Sequence, residues 1–335
     1  MKRLLFAALI LLLLCGCGKH EPLLPENNSP SLSPTGQAKK GSLLPDYANW
    51  GDGSLSSPRG VSINLFYDTD SGRKVFAAEP PVINESIDAI LRYQIDLDAF
   101  AAPEDAEATF FVAVNGSLCN FTLGGESSSS GYLRKKASVN QVVEESLVIT
   151  NCPLVSGQNQ LSVVLFVYYP QVGRSIPGSL IVPFVSETDR PGQSGLKKAS
   201  HDNPSFVFHS PSEEDISFSS VGLLREQYSL KEDASGAAII PPQDALWFRL
   251  NNRVEDEKKA GNECSVLVIA YVDGKPLPFR QDDFLFLSLS SEDVLIDLPL
   301  NFSRASGELN LFNIMWCPID LNVSAGFSDF LVFTE

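Results

Sequence analysis

Histidine is nearly missing from this 335-residue chain, which holds only His20, His201 and His209. His201 and His209 are eight positions apart, roughly 26 Å in an extended strand and too far to share a metal; only a turn at Asn203-Pro204 would bring them together. No GxSxG nucleophile elbow occurs. Ser71-Gly72-Arg73-Lys74 fits the SxxK pattern, but that chemistry needs the serine at a helix start and a KTG elsewhere, and KTG is absent. No cysteine pair is spaced as CxxC, and no histidine lies near the downstream cysteines, which argues against a zinc site. Helical periodicity is scarce; short helices are expected at most over 221–232 and 139–147. Basic residues are few, 25 against 41 acidic, for a net charge of −16. Such a chain repels phosphate backbones and anionic lipid surfaces, so nucleic-acid binding is not expected. The charge itself reads as solubility.

What is present begins at the N-terminus. Lys2 and Arg3 precede an apolar run from Leu4 to Leu14, which is too short for a transmembrane helix of roughly 20 residues but right for a signal peptide. No later segment is long enough to span. The run closes on Leu14-Cys15-Gly16-Cys17, which resembles the lipobox of bacterial lipoproteins. The resemblance covers residues 1–17 only and implies cleavage before Cys17, diacylglycerol on its sulfur and membrane anchoring by two or more acyl chains. Cys15 is the rival site, with bulky Leu14 where a small residue is wanted. An ordinary secreted protein cut after Gly16 or Gly18 is the alternative. Gly18, rather than Asp, after the cysteine points to the outer membrane of a bacterial envelope. Removing 1–16 deletes Lys2 and Arg3, leaving 23 basic residues and a net charge of −18.

Four cysteines remain: Cys119, Cys152, Cys264 and Cys317. An even number in an exported chain predicts two disulfides, with three possible connectivities. Proximity in sequence favours Cys119–Cys152 and Cys264–Cys317, each worth roughly 3–4 kcal/mol by loop entropy.

The body repeats itself. Asp88-Ala89-Ile90-Leu91 matches Asp244-Ala245-Leu246-Trp247, each shortly after a Pro-Pro pair; Val114-Asn115-Gly116 with Phe121 matches Val272-Asp273-Gly274 with Phe279; Cys152-Pro153 matches Cys317-Pro318. The offsets lie near 160 in constant order, which points to a domain duplication and not a short-repeat array. In this alignment Cys119 faces Leu277 and Cys264 faces Ala106, so only the second cysteine position is shared. Tyr93, Ile95 and Leu97 alternate with polar residues as in a half-buried strand. Apolar runs over 110–114 and 266–272 end at Asn-Gly and Asp-Gly, strong hairpin signals; 163–169 and 330–333 read as late core strands. The expected fold is all-β, two tandem antiparallel immunoglobulin-like sandwiches. The expected organisation is a signal peptide over 1–16, a lipidated Cys17 with a flexible Pro/Ser/Asn/Gly-rich tether over 17–58, a first domain over 59–190, a linker over 191–205 and a second domain over 206–335. A coil of about 40 residues spans roughly 35 Å on average, or roughly 130 Å stretched, enough to stand the domains off a membrane.

Other motifs carry less. Asp68-Thr69-Asp70-Ser71-Gly72 resembles half of a calcium loop but lacks the bidentate Glu, so Asp68 and Asp70 are weak metal candidates beside the reading as a hairpin turn, echoed at Asp233-Ala234-Ser235-Gly236. Lys135-Lys136 and Lys197-Lys198 read as solvated loops, and 124–130 as a flexible edge loop. Asn84, Asn115, Asn120, Asn301 and Asn322 begin N-x-S/T triplets that carry no glycan by default in a bacterial envelope. Asp282-Asp283 is no acid/base pair without geometry. Trp50 is expected to pack on the first domain; Trp247 and Trp316 read as core strand residues that would make a sugar platform only if exposed. No catalytic residue and no cofactor is expected. The reading is a lipid-anchored envelope protein whose β-domains bind or support another envelope protein or glycan, with a carbohydrate-binding surface protein as the alternative and an envelope enzyme third.

Overall fold

The computed structural model describes residues 58–97, 106–170 and 173–192 of the first half, and in the second half the strands and turns within 207–209, 221–225, 228–229, 238–240, 246–251, 264–277, 283–289, 295–300, 309–319 and 326–334. Cys17, the tether, His20, Trp50, His201, Lys197-Lys198 and 233–236 lie outside the described residues. All described strands belong to one compact unit within Gly41–Glu335.

The described residues contain strands and no helix. In the first half these are β1 (Pro58–Thr69), β2 (Gly72–Val75), β3 (Ile87–Leu97), β4 (Ala106–Val114), β5 (Ser117–Leu118), β6 (Phe121–Leu123), β7 (Glu126–Ser127), β8 (Tyr132–Ala137), β9 (Val142–Ile149), β10 (Gly157–Tyr169) and β11 (Arg174–Ser186). In the second half they are β12 (Val207–His209), β13 (Val221–Arg225), β14 (Tyr228–Ser229), β15 (Ala238–Ile240), β16 (Leu246–Asn251), β17 (Cys264–Val272), β18 (Lys275–Pro276), β19 (Leu285–Leu289), β20 (Leu295–Leu300), β21 (Leu309–Pro318) and β22 (Gly326–Thr334). The short helices expected over 139–147 and 221–232 are corrected: β9 begins within the first stretch, and in the second the described residues form the antiparallel strands β13 and β14. Val142-Val143 and Leu147-Val148 are β-branched or apolar positions that pair along β3, and sheet pairing overrides a weak helical pattern.

Four sheets result. An outer sheet of the first half runs β2-β1-β3-β9-β6-β7, and an inner sheet runs β11-β10-β4-β5 with β8 also on β4. The second half has β12-β20-β16-β13-β14 and β15-β22-β21-β17-β18 with β19 also on β17. Most of the two lists superimposes: β2-β1-β3-β9 reads as β14-β13-β16-β20, and β11-β10-β4-β5 with β8 reads as β22-β21-β17-β18 with β19, while β6, β7, β12 and β15 stand outside the match. Detail agrees. Asn115 and Gly116 have φ of 50° and 70°, Asp273 and Gly274 have 48° and 77°, the double left-handed turn that twisted hairpins require. Cys119 N–H donates to Val112 and Leu277 N–H to Ala270, so Cys119 and Leu277 are equivalent. A short parallel edge recurs too, Val82 on Val185 and Ala238 on Val332.

The first sandwich closes through residues of alternate parity: Leu65, Leu91, Tyr93 and Ile95 from the outer sheet meet Phe110, Val112, Leu165 and Val167 from the inner one. Gly178 on β11 lets Val61 of β1 pack close against the inner sheet, since a Cβ there would stand 2.6 Å from Val61 Cγ1. The inner sheet is then buried a second time. Phe111, Ala113, Val164, Phe166 and Tyr168, on its other face, form one cluster with Ile269, Tyr271, Phe284, Met315, Cys317 and Ile319 of the second half. This double burial is why β4 and β10 read as continuous apolar runs and not as alternating strands. Tyr168 and Tyr271 stack at 4.4 Å with planes 8° apart, and Phe284 stands edge-on to Phe111 and Tyr132 at 4.8 and 5.2 Å. Three polar links cross the same boundary: Arg134 to Asp283 at 3.3 Å, Asn313 Nδ2 to the Gly173 carbonyl at 2.8 Å, and the Ser162 hydroxyl to the Ile319 carbonyl.

Candidate functional site

With both faces of the inner sheet covered, the surface the first half offers is the solvent side of its outer sheet. Period-two alternation puts Ser62, Asn64 and Phe66 of β1, Arg92 and Gln94 of β3, and Val142 and Glu144 of β9 on that side. Ser62, Asn64, Arg92, Gln94 and Val142 line a shallow open depression of about 190 Å³ with Tyr93 beneath. Gln94 Nε2 donates to Asp96 at 2.6 Å, which fixes one wall. Beside it, Arg73 of β2 reaches over the Phe66 ring, 5.9 Å to the centroid, and donates to Glu144 at 3.0 Å; Arg92 meets the other Glu144 oxygen at 3.6 Å. Glu144 first, then Asp68, holds the Arg73 guanidinium even more firmly protonated than usual. The face is therefore a row of compensated charges around amide and hydroxyl groups. Such a surface is fit to hydrogen-bond a polar partner; it places no nucleophile beside a base.

The sequence-derived candidates fall elsewhere. Asp68 to Gly72 form the β1–β2 hairpin, with Thr69 opposite Gly72. Asp68 lies 3.4 Å from Arg73, and Thr69 Oγ1 donates to the Gly72 carbonyl. Among the described residues no cluster of His, Cys, Asp and Glu is arranged to hold a metal. Ser71 of the SxxK match sits in this turn, and Lys74 is 2.5 Å from Glu79, the contact that keeps its ammonium protonated above the ordinary range. Lys135 is corrected from a solvated loop residue: it lies on β8, bonds both oxygens of Glu145 at 2.5 Å and is 11% exposed. Asn115 and Asn120 are structural; Asn115 Oδ1 accepts from Gln160 N–H, and Asn120 Oδ1 from Gly131 N–H. Asp283 is spent on Arg134. Trp316 is half-buried within β21, His209 belongs to β12 and Trp247 to β16.

Of the two expected cysteine pairings, the register speaks against Cys264 with Cys317. Cys119, Cys152 and Cys317 are all buried. Cys317 pairs in register with Leu267, not with Cys264, which stands three residues further along β17 and opposite Leu289. Three residues are roughly 10 Å of strand, beyond the ~7 Å Cα separation a disulfide spans. The Cys152-Pro153 and Cys317-Pro318 match also dissolves. Val114 faces Leu161 and Val272 faces Phe312, so Leu161 and Phe312 are equivalent, and counting along the strands puts Cys317 at the place of Phe166. Cys152 precedes β10 altogether. No cysteine position is common to the halves. Sequence reasoning missed the outer-sheet face, whose only signal was the polar side of the alternation it had recognised in β3.

No protein-family model matches the chain, and no curated protein matches it in sequence. Among solved structures it overlaps the C-terminal domain of the antigen I/II polypeptide BspA of Streptococcus agalactiae, at 8% identity over 82% of this chain and 100% of that one, with a TM-score of 0.22. It overlaps the C-terminal domain of the antigen I/II-family protein AspA of Streptococcus pyogenes at 8% identity, over 82% and 99% of the chains, with a TM-score of 0.22. The T6 backbone pilin of serotype M6 Streptococcus pyogenes gives 6% identity over 82% and 52%, with a TM-score of 0.19. Overlaps at this level assign neither partner nor activity.

Proposed function

We propose that this chain is an envelope protein, anchored by a lipidated Cys17 in the outer membrane, whose paired β-sandwiches form a stiff non-enzymatic module contacting another envelope protein or glycan. The supporting observation is the core shared by the two halves, in which Phe111, Tyr168, Tyr271 and Phe284 are packed away. Joining two sandwiches through a core of interior quality favours a rigid spacer or platform over mobile beads on a string. The contact surface in this reading is the outer-sheet face around Asn64, Arg92 and Gln94, where polar groups are gathered without being buried.

The test is chemical cross-linking in native envelopes, comparing wild type with an Asn64→Ala/Arg92→Glu/Gln94→Ala variant. The expected result is a defined cross-linked species that the variant loses while its circular dichroism is unchanged. Retention of the species, or none with wild type, counts against this face. Intact mass of the native protein tests the anchor separately: a chain beginning at Cys17 with added acyl mass is expected.

A further inference from the structure

The structure separates the four cysteines by place. Phe121 and Ile149 are the last register pair of the β6–β9 ladder at one end. Cys119 lies two residues before Phe121 and Cys152 three residues after Ile149, so the two chains leave that ladder side by side. Both cysteines then turn into the same core cluster, at 2% and 0% exposure. Each is pinned. Cys119 N–H donates to the Val112 carbonyl, and its thiol donates to the Ser117 carbonyl at 3.3 Å. Around Cys152, Asn151 takes a left-handed φ of 57°, and Arg190 closes over the segment, donating to the Asn151 side chain and to the Glu85 carbonyl, each at 3.1 Å. The Cys152 thiol points at that same Glu85 carbonyl, 4.0 Å away. Neither sulfur has a route to solvent, and burial raises the Cys152 thiol by more than the nearby Arg190 lowers it, so neither is set up as a nucleophile.

We infer that Cys119 and Cys152 are the two sulfurs of a single structural disulfide, tying the β5–β6 crossover to the exit of β9, and that Cys264 and Cys317 stay as thiols. The inference rests on the export proposed above, because the bond needs an oxidising compartment. It forms by exchange with a disulfide donor. The thiolate of one cysteine attacks the donor, releasing one donor thiol and leaving a mixed disulfide. The second cysteine thiolate displaces the other donor thiol as the Cys119–Cys152 bond forms. The two cysteine sulfurs lose two electrons, the donor disulfide gains them, and the two cysteine protons end on the donor thiols. In the finished fold, burial pushes the Cys119 thiol up to about 12, and the neighbouring Cys152 adds to the effect. Exchange therefore belongs to the folding chain, before the core closes.

The test is alkylation with N-ethylmaleimide in denaturant, before and after reduction, followed by peptide mapping. It is run on the native full-length protein and on the same protein unfolded, reduced and refolded with oxidised glutathione. In both samples, Cys264 and Cys317 should take label before reduction, and Cys119 and Cys152 only after it, within one linked peptide. Formation on refolding but not in the native sample upholds the pairing and removes the export reading. Cys119 and Cys152 both labelled before reduction in both samples, or a bridge from either to Cys264 or Cys317, would overturn it.

Discussion

Glu145 and Lys135 show how much one residue can carry in the first sandwich. Their side chains are 19% and 11% exposed, Lys135 Nζ lies 5.6 Å from the Phe110 ring centre, and the pair joins β9 of the outer sheet to β8 of the inner one. Glu145→Leu leaves an ammonium in an apolar setting, and the expected loss is about 3 kcal/mol in denaturant unfolding. Lys135→Met with Glu145→Leu should recover most of it, because an apolar pair leaves no buried charge; losses that simply add would refute the coupling. Cys317 makes a second residue-scale case. Burial pushes its thiol from 9.0 up to about 12, so the unfolded chain ionises first. Its contribution is complete below pH 9 and is lost as pH rises toward 12. Thermal midpoints should fall across that window, and Cys317→Ala should flatten the part that begins near pH 9. An unchanged slope would rule Cys317 out as the source.

At the scale of elements, the turns were legible and the partners were not. Asn115-Gly116 and Asp273-Gly274 announce their hairpins because few other residues accept two left-handed positions in a row. Nothing local announces that Asn115 also donates to Asn159 Oδ1 at 2.8 Å, or that Asn310 donates to Asp273 at 2.8 Å, linking each turn to the start of β10 or β21. Asn115→Ala loses the left-handed preference and these bonds together, and a cost of about 2 kcal/mol is expected by denaturant titration. Gly178→Ala tests the sheet-to-sheet approach. Its Cβ would meet the branched end of Val61, and a loss of about 1–3 kcal/mol is expected, to be relieved by Val61→Ala. The all-β class and the recurrence of one strand pattern could be read from alternation and turn residues. The Cys-Pro match misled because two residues are too few to fix register, whereas a ladder of paired residues fixes it at every step. The outer-sheet face stayed hidden for a related reason: Asn64, Arg92 and Val142 come from three strands that only pairing makes neighbours.

At the scale of the molecule, the junction between the halves has a property that follows from their common strand order. Phe111 and Ala113 correspond to Ile269 and Tyr271, and Val164, Phe166 and Tyr168 to Met315, Cys317 and Ile319, all of them in the shared cluster. Each half thus buries the same face of the same sheet. Tyr132 and Phe284 lie at equivalent positions and touch each other, as residues beside a two-fold axis do. The contact is a homodimer-like interface enclosed within one chain. A sandwich that buries this face should not unfold independently of its neighbour. The described strands of the first half, within 58–186, contain no tryptophan, so in a Trp50→Phe chain emission comes from Trp247 and Trp316 alone, while far-ultraviolet circular dichroism reports both halves. The two signals should trace one coincident transition in the Trp50→Phe protein. Phe284→Ala, in that background, removes the ring between Phe111 and Tyr132 at a cost of about 3–5 kcal/mol, and should pull the emission curve to lower denaturant than the dichroism curve. Two separate transitions before any mutation would mean that the shared core does not couple the halves, and the stiff module proposed here would lose its physical basis.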